Sequence, residues 1–180
     1  MTEQRSNRVI EIDRANLDDY QQRVIARLQS GRGKVLTPYK IWIHSAGVAD
    51  GMEVLGTHLN TASSFDEAEL EIGILMTAVF WGSPFVINAH TRHSRKAGID
   101  DAAIEQMLAR APASFADKRR QAVHDLVNDA LAGGSIEDEA YRAYEGVLGR
   151  KGIAELIALV GYYTSVAIGM WMHEVLPAAQ

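Results

Sequence analysis

An all-α fold is predicted by three features of the sequence. Helix caps and stops recur along its length, apolar residues fall at three- and four-residue spacing, and no stretch sustains the alternation of a half-buried strand. With 180 residues, 47% hydrophobic and 23% charged, the chain can bury a substantial core and does not have the composition of a disordered protein.

Residues 1–16 read as a polar N-terminal segment and 17–177 as one helical domain. The first helix, Leu17 to Gln29, sets Leu17, Tyr20, Val24, Ile25 and Leu28 on one stripe, and Gly31 and Gly33 stop it. Thr37 before Pro38 pairs an N-cap with a first-turn proline, starting a helix that carries Ile41, Trp42 and Ile43 toward His44. A helix from about Ala49 to Asn60 follows. Ser64, with Glu67 three residues on, forms a capping-box pattern and opens a strongly apolar helix to about Trp81. Gly82, Ser83 and Pro84 interrupt it, and the next helix runs from Pro84 to about Ala97, with Gly98 as its stop.

Asp100 caps a short helix through Arg110. Ser114 and Asp117 repeat the capping pattern before a helix from Phe115 to Leu131, which Gly133 and Gly134 end. Ser135 opens another through Leu148, and the last covers Gly152 to Val175, before Pro177. Its stretch from Leu156 to Met172 is uncharged, but glycines and the polar Tyr162, Tyr163, Thr164 and Ser165 make it a buried helix rather than a membrane span. Ala68, Glu69 and Leu70 are echoed by Ala154, Glu155 and Leu156, a faint hint of two related helical halves.

A formal charge of −5 and a pI near 5.7 argue against a nucleic-acid partner. The basic runs at Arg92, Arg95 and Lys96 and at Lys118, Arg119 and Arg120 read as solvated helix faces. The sequence has no cysteine, which excludes disulfides, thiolate metal sites and thiol-based catalysis. Met1 to Arg14 lacks the apolar core of a signal peptide, so a cytoplasmic protein is expected, with no membrane partner.

The chemistry concentrates between Glu71 and His93. Glu71 shares a helix face with Ile74, Leu75 and Ala78, an unusual place for an acid. There the ionised form is disfavoured unless a cation or several donors compensate, which suits proton transfer. His90, on the following helix with Val86 and His93 as neighbours, is the natural partner, since imidazole titrates nearest neutrality. Straight helices, at about 1.5 Å per residue, leave the two groups offset by roughly 8 Å along the axis, so contact needs a kink, an early helix end or a bridging water. Both residues also have plain structural readings, His90 bonded to a backbone carbonyl and Glu71 as a buried acceptor. His90 and His93 could be an i, i+3 metal pair completed by Glu71. His44 could face a shared pocket or simply the surface. Trp81 and Phe85 could be core packing or an aromatic floor beside Ser83.

The segment from Glu71 to Gly98 resembles the carboxymuconolactone decarboxylase superfamily, which includes alkylhydroperoxidase D. Its peroxidase branch carries a Glu, a Cys-x-x-Cys beginning twelve residues on, and a His four residues after the second Cys. Here Glu71 and His90 keep those places, while Ser83 and Val86 stand at the cysteine positions. The Trp-x-Ser-x-aromatic run of cysteine-free members reads as Trp81, Ser83 and Phe85, and their Arg-Lys-Ala-Gly as Arg95 to Gly98. Trp42 to Leu59 looks like the preceding helix pair and Ile153 to Tyr163 like the closing helix, so the resemblance covers roughly Leu36 to Pro177.

The resemblance implies an alkylhydroperoxidase D-like bundle and a cofactor-free, metal-free enzyme of the decarboxylase kind. Such an enzyme acts on a small carboxylated lactone or another product of aromatic catabolism. His90 would be its acid and base and Glu71 would orient it. Ser83, at a helix start, would welcome a substrate carboxylate, and Trp81, Phe85, His44 and His93 would line the site. A homo-oligomer, trimer or hexamer, is also implied. Leu70 and Val86 depart from the Arg and acidic residue common in cysteine-free relatives, and Trp171 and His173 from their amide and aromatic. These departures point to an altered pocket or to a non-catalytic, ligand-binding oligomer of the same fold.

Overall fold

The computed structural model describes residues 7–177, all of them helix, turn or irregular chain, with no strand. Residues 1–6 of the expected polar segment lie outside that range. A single 3-10 turn, Arg14–Asn16, precedes eight helices: α1 Asp19–Arg32, α2 Thr37–Trp42, α3 Ala46–Thr61, α4 Glu67–Trp81, α5 Pro84–Lys96, α6 Asp101–Leu108, α7 Lys118–Ala132 and α8 Asp138–Met172.

Helix α4 is the axis of the fold, packed by α5, α7, α8 and α6. Every residue from Ala68 to Val79 except Met76 is buried, as befits a helix apolar on nearly all sides. Ile72, Ile74 and Leu75 are fully enclosed, each contributing about 2 kcal/mol by leaving water. Gly73 lets α8 come close, since a Cβ there would lie 2.8 Å from Leu159 Cδ2. Gly56 on α3 does the same for Tyr162, whose hydroxyl would lie 2.6 Å from an added Cβ.

Helix starts differ in detail from the sequence pattern. Asp66, not Ser64, caps α4: its side chain accepts from Glu69 N (2.7 Å), and Glu69 accepts from Asp66 N (2.9 Å). Ser64 Oγ instead donates to Glu155 Oε2 (2.6 Å). Asp117 rather than Ser114 caps α7, and α2 starts after Leu36, with Thr37 already helical. The two helices expected at the C-terminal end are continuous in α8 except at Gly149, whose φ of 69° and ψ of 166° break the helical backbone.

α8 is apolar and long enough to cross a membrane, with mean hydropathy 1.6 over its most apolar stretch, but half of that stretch is buried within the protein. Leu156, Leu159, Val166, Ala167 and Met170 belong to the core. The echoed acids share a role at two helix starts. Glu69 meets Arg119 Nε at 2.7 Å, and Glu155 holds Ser64. The segment before α1 is tied to the end of α8, where Arg8 N donates to His173 O (2.9 Å) and Arg8 pairs with Glu174.

Candidate active site

Gly82, left-handed at φ 62° and ψ 39°, ends α4, and extended Ser83 leads into Pro84 at the start of α5. This turn folds α5 back along α4 and brings Glu71 to His90. His90 Nδ1 lies 2.8 Å from Glu71 Oε2, a direct contact across nineteen positions. The expected axial offset is taken up by the reach of the two side chains, without a bridging water. An ionised carboxylate only accepts, so Nδ1–H donates and the lone pair of Nε2 is left for other work.

Both groups are sheltered, Glu71 at 8% side-chain exposure and His90 at 15%, whereas His93, one helical turn on, is 54% exposed. His93 Nδ1 stands 3.7 Å from Glu71 Oε1, beyond hydrogen-bond reach but close enough for attraction when the ring is charged. The His90 ring meets Tyr163 edge-on at 5.3 Å and His93 at 5.2 Å.

A cavity of about 460 Å³ opens beside this group. Glu71, His90, His93, Phe85 and Val86 line one side, Tyr162, Tyr163 and Val166 of α8 another, and Lys34 to Lys40 a third. Within the wall the Tyr39 and Tyr162 hydroxyls are 3.1 Å apart.

Of the residues expected at the site, Glu71, His90, His93 and Phe85 are thus brought together, while Ser83, Trp81 and His44 are not. Ser83 is fully buried, its Oγ has no hydrogen-bond partner and it does not line the cavity, so it cannot meet a substrate carboxylate there. Trp81 turns toward α8 and donates from Nε1 to Thr164 Oγ1 (2.9 Å). His44 is exposed at the end of α2, beside a small cavity with Arg8, Lys40 and His173. A different cavity, about 260 Å³, lies between α4, α6 and α7. Its His124 is engaged at both ring nitrogens, Nε2 accepting from Ala113 N and Nδ1 donating to Asp125, and so serves the structure.

Sequence reasoning missed Lys34, Tyr39 and Tyr163 as wall residues. The adjacent tyrosines of an otherwise apolar helix were the available signal, because buried hydroxyls need partners.

No protein-family model matches the chain, and no curated protein does. Solved structures do. A peroxidase-related protein from Silicibacter sp. TM1040 superposes with a TM-score of 0.73 at 16% identity, covering 99% of this chain and 96% of that one. The chain has the AhpD-like fold. An alkylhydroperoxidase AhpD core protein from Ralstonia eutropha JMP134 shares it with a TM-score of 0.73 at 14% identity, over 95% and 92% of the two chains. The debrominase Bmp8 shares the AhpD-like fold with a TM-score of 0.67 at 10% identity, over 95% and 92%. A cysteine-to-alanine form of that debrominase has been solved with 2,3,4-tribromopyrrole. These helical neighbours carry the fold of the carboxymuconolactone decarboxylase superfamily.

Proposed function

We propose that the chain is a cofactor-free acid/base enzyme, similar to carboxymuconolactone decarboxylases, acting on a small carboxylated lactone or related product of aromatic breakdown. The observation that carries this reading is the 2.8 Å contact of Glu71 with His90 at the wall of a cavity large enough for a small ring. Heterolysis of the bond to the carboxylate releases CO2 and leaves an electron pair that the lactone carbonyl absorbs. His90, protonated on both nitrogens and steadied by Glu71 at Nδ1, delivers the Nε2 proton to carbon, and water restores it.

Lys34 takes over the anion-binding task once expected of Ser83. Phe85 and Tyr163 offer apolar faces to a flat ring, and the pyrrole-bound debrominase is a precedent for a planar ring in this fold. Exposed Phe80, Ile157, Trp171 and Met172 support a homo-oligomer, a trimer or hexamer by resemblance. Cytoplasmic residence without a nucleic-acid partner belongs to the same proposal.

The test follows CO2 release and ultraviolet absorbance with a panel of carboxylated lactones, comparing wild type with His90→Ala. Loss of roughly 100-fold or more in kcat is expected from removing a general acid. Equal turnover in both proteins removes His90 from the mechanism. The rival reading, a ligand-binding oligomer without catalysis, draws on Val86, which places an apolar group on the cavity wall where relatives have an acid. It gains if lactones bind but neither protein turns them over.

A further inference from the structure

We propose that Glu71, His90 and His93 together bind one divalent transition-metal ion of the zinc class. A carboxylate oxygen and two imidazole nitrogens converge, with all donor atoms within 4.8 Å of one another. Glu71 Oε2 lies 2.8 Å from His90 Nδ1, and its other oxygen, Oε1, lies 3.7 Å from His93 Nδ1. Ligands around a tetrahedral zinc, at about 2.0–2.2 Å from the metal, lie about 3.3 Å apart, so the observed spacings bracket what the ion demands.

The ligands come from two elements of different character. Glu71 is fixed on buried α4, and the i, i+3 spacing of His90 and His93 sets two rings on one turn of α5. Three protein ligands leave a position open. Glu71 and His93 line both the 460 Å³ cavity and a neighbouring one of about 380 Å³ that also contains Asn60 and Glu67. Water or a small anion therefore has access to the open position from two sides.

Two nitrogens and one oxygen suit zinc, cobalt or nickel and not the all-oxygen preferences of calcium or magnesium. The local charge is mixed. Glu71 and Glu67 favour a cation, Lys34 opposes it from the far wall, and Lys40 is paired with Glu11 at 2.6 Å.

The ion and the proton compete for the same lone pair of His90 Nδ1. This inference does not rest on the proton-transfer reading, and an ion at this position inhibits that chemistry.

The experiment titrates chelator-treated, untagged protein with Zn²⁺ by calorimetry at pH 7.5, and with Co²⁺ by visible absorption. One ion per chain is expected with Kd of about 10 μM or tighter, together with the intense visible bands of low-coordinate Co²⁺. His93→Ala and Glu71→Gln should each weaken Zn²⁺ binding by at least about tenfold, since the loss of a mere supporting contact already costs that much. Zn²⁺ binding weaker than about 1 mM, or equal in wild type and His93→Ala, overturns the proposal. His93 is half-exposed, so its variant keeps the fold even if Glu71→Gln does not, and circular dichroism checks this. His93→Ala also retains the Glu71 to His90 contact. Zn²⁺ binding and lactone turnover are read separately on the wild-type protein, so absence of the one leaves the other standing and the two readings fail independently.

Discussion

Glu155→Gln measures how much one buried acid ties the two halves of the fold together. Glu155 accepts from Ser64 N (2.9 Å), Ser64 Oγ (2.6 Å), Lys151 Nζ (2.5 Å) and His58 Nε2 (3.0 Å), linking α8 to the loop before α4 and to α3. Burial alone would raise its pKa, but the hydrogen bonds from Lys151, Ser64 and His58 outweigh burial and hold it at about 2 rather than the ordinary 4.5. The folded state thus prefers the ionised form, and the stability this gives is present above pH 4.5 and lost as pH falls toward 2. A gap of roughly 2.5 pH units corresponds to about 3.4 kcal/mol at 1.36 per unit. Because His58 and Lys151 are 47% and 62% exposed, solvent screens their share, and about 2 kcal/mol is the expected effect. Urea unfolding followed by circular dichroism should find Glu155→Gln about 2 kcal/mol less stable than wild type at pH 7, with the difference shrinking steadily from pH 4.5 to 2.5. A difference that stays constant across that range, or is absent at pH 7, refutes the reasoning.

Gly56→Ala should lower stability by about 2 kcal/mol, because its methyl meets the Tyr162 hydroxyl at 2.6 Å and ring carbon at 2.9 Å. A thermal midpoint equal to wild type would show that Tyr162 moves freely and does not hold the cavity wall. Tyr144 is pushed upward by burial and by its hydrogen bond to Asp129, so the folded state resists its ionisation. The stability it gives is present below pH 10 and lost as pH rises beyond, and Tyr144→Phe should flatten the fall of the melting temperature expected above pH 10. Parallel curves for the two proteins would count against that role.

The break between α4 and α5 is legible in the sequence because Gly82, Ser83 and Pro84 each obey local rules, and so Glu71 and His90 could be paired before any coordinates. Helix starts were less legible where signals nest. Ser64 with Glu67 and Asp66 with Glu69 both fit the capping-box spacing, and the choice falls to Asp66 because Glu155, ninety-one positions away, takes the Ser64 hydroxyl. Spacing along one helix cannot reveal such a competitor. The same limit hid the cavity walls, since Lys34, before α2, and Tyr39 and Tyr163 come to the cavity of His90 only through the packing of α2, α5 and α8. Ser83 shows the opposite failure. It has the residue type and position of an N-cap, yet its side chain makes no capping bond and is enclosed. That a capping residue is present says nothing of where its oxygen points.

Two of the buried acids, Glu155 and Glu71, differ sharply in their partners. A carboxylate can accept about four hydrogen bonds. Glu155 receives four, from the Ser64 amide and hydroxyl, Lys151 and His58. Glu71, equally buried, has one hydrogen bond from His90 and a longer approach from His93, and it lines two cavities. Both of its near partners are imidazoles, where Glu155 has a single imidazole, His58, alongside an ammonium, a hydroxyl and a backbone amide. A sheltered carboxylate with acceptor capacity left over beside a cavity is placed to bind what enters it. That spare capacity, beside two imidazoles and two cavities, is the physical ground on which the proposed chemistry at Glu71 rests.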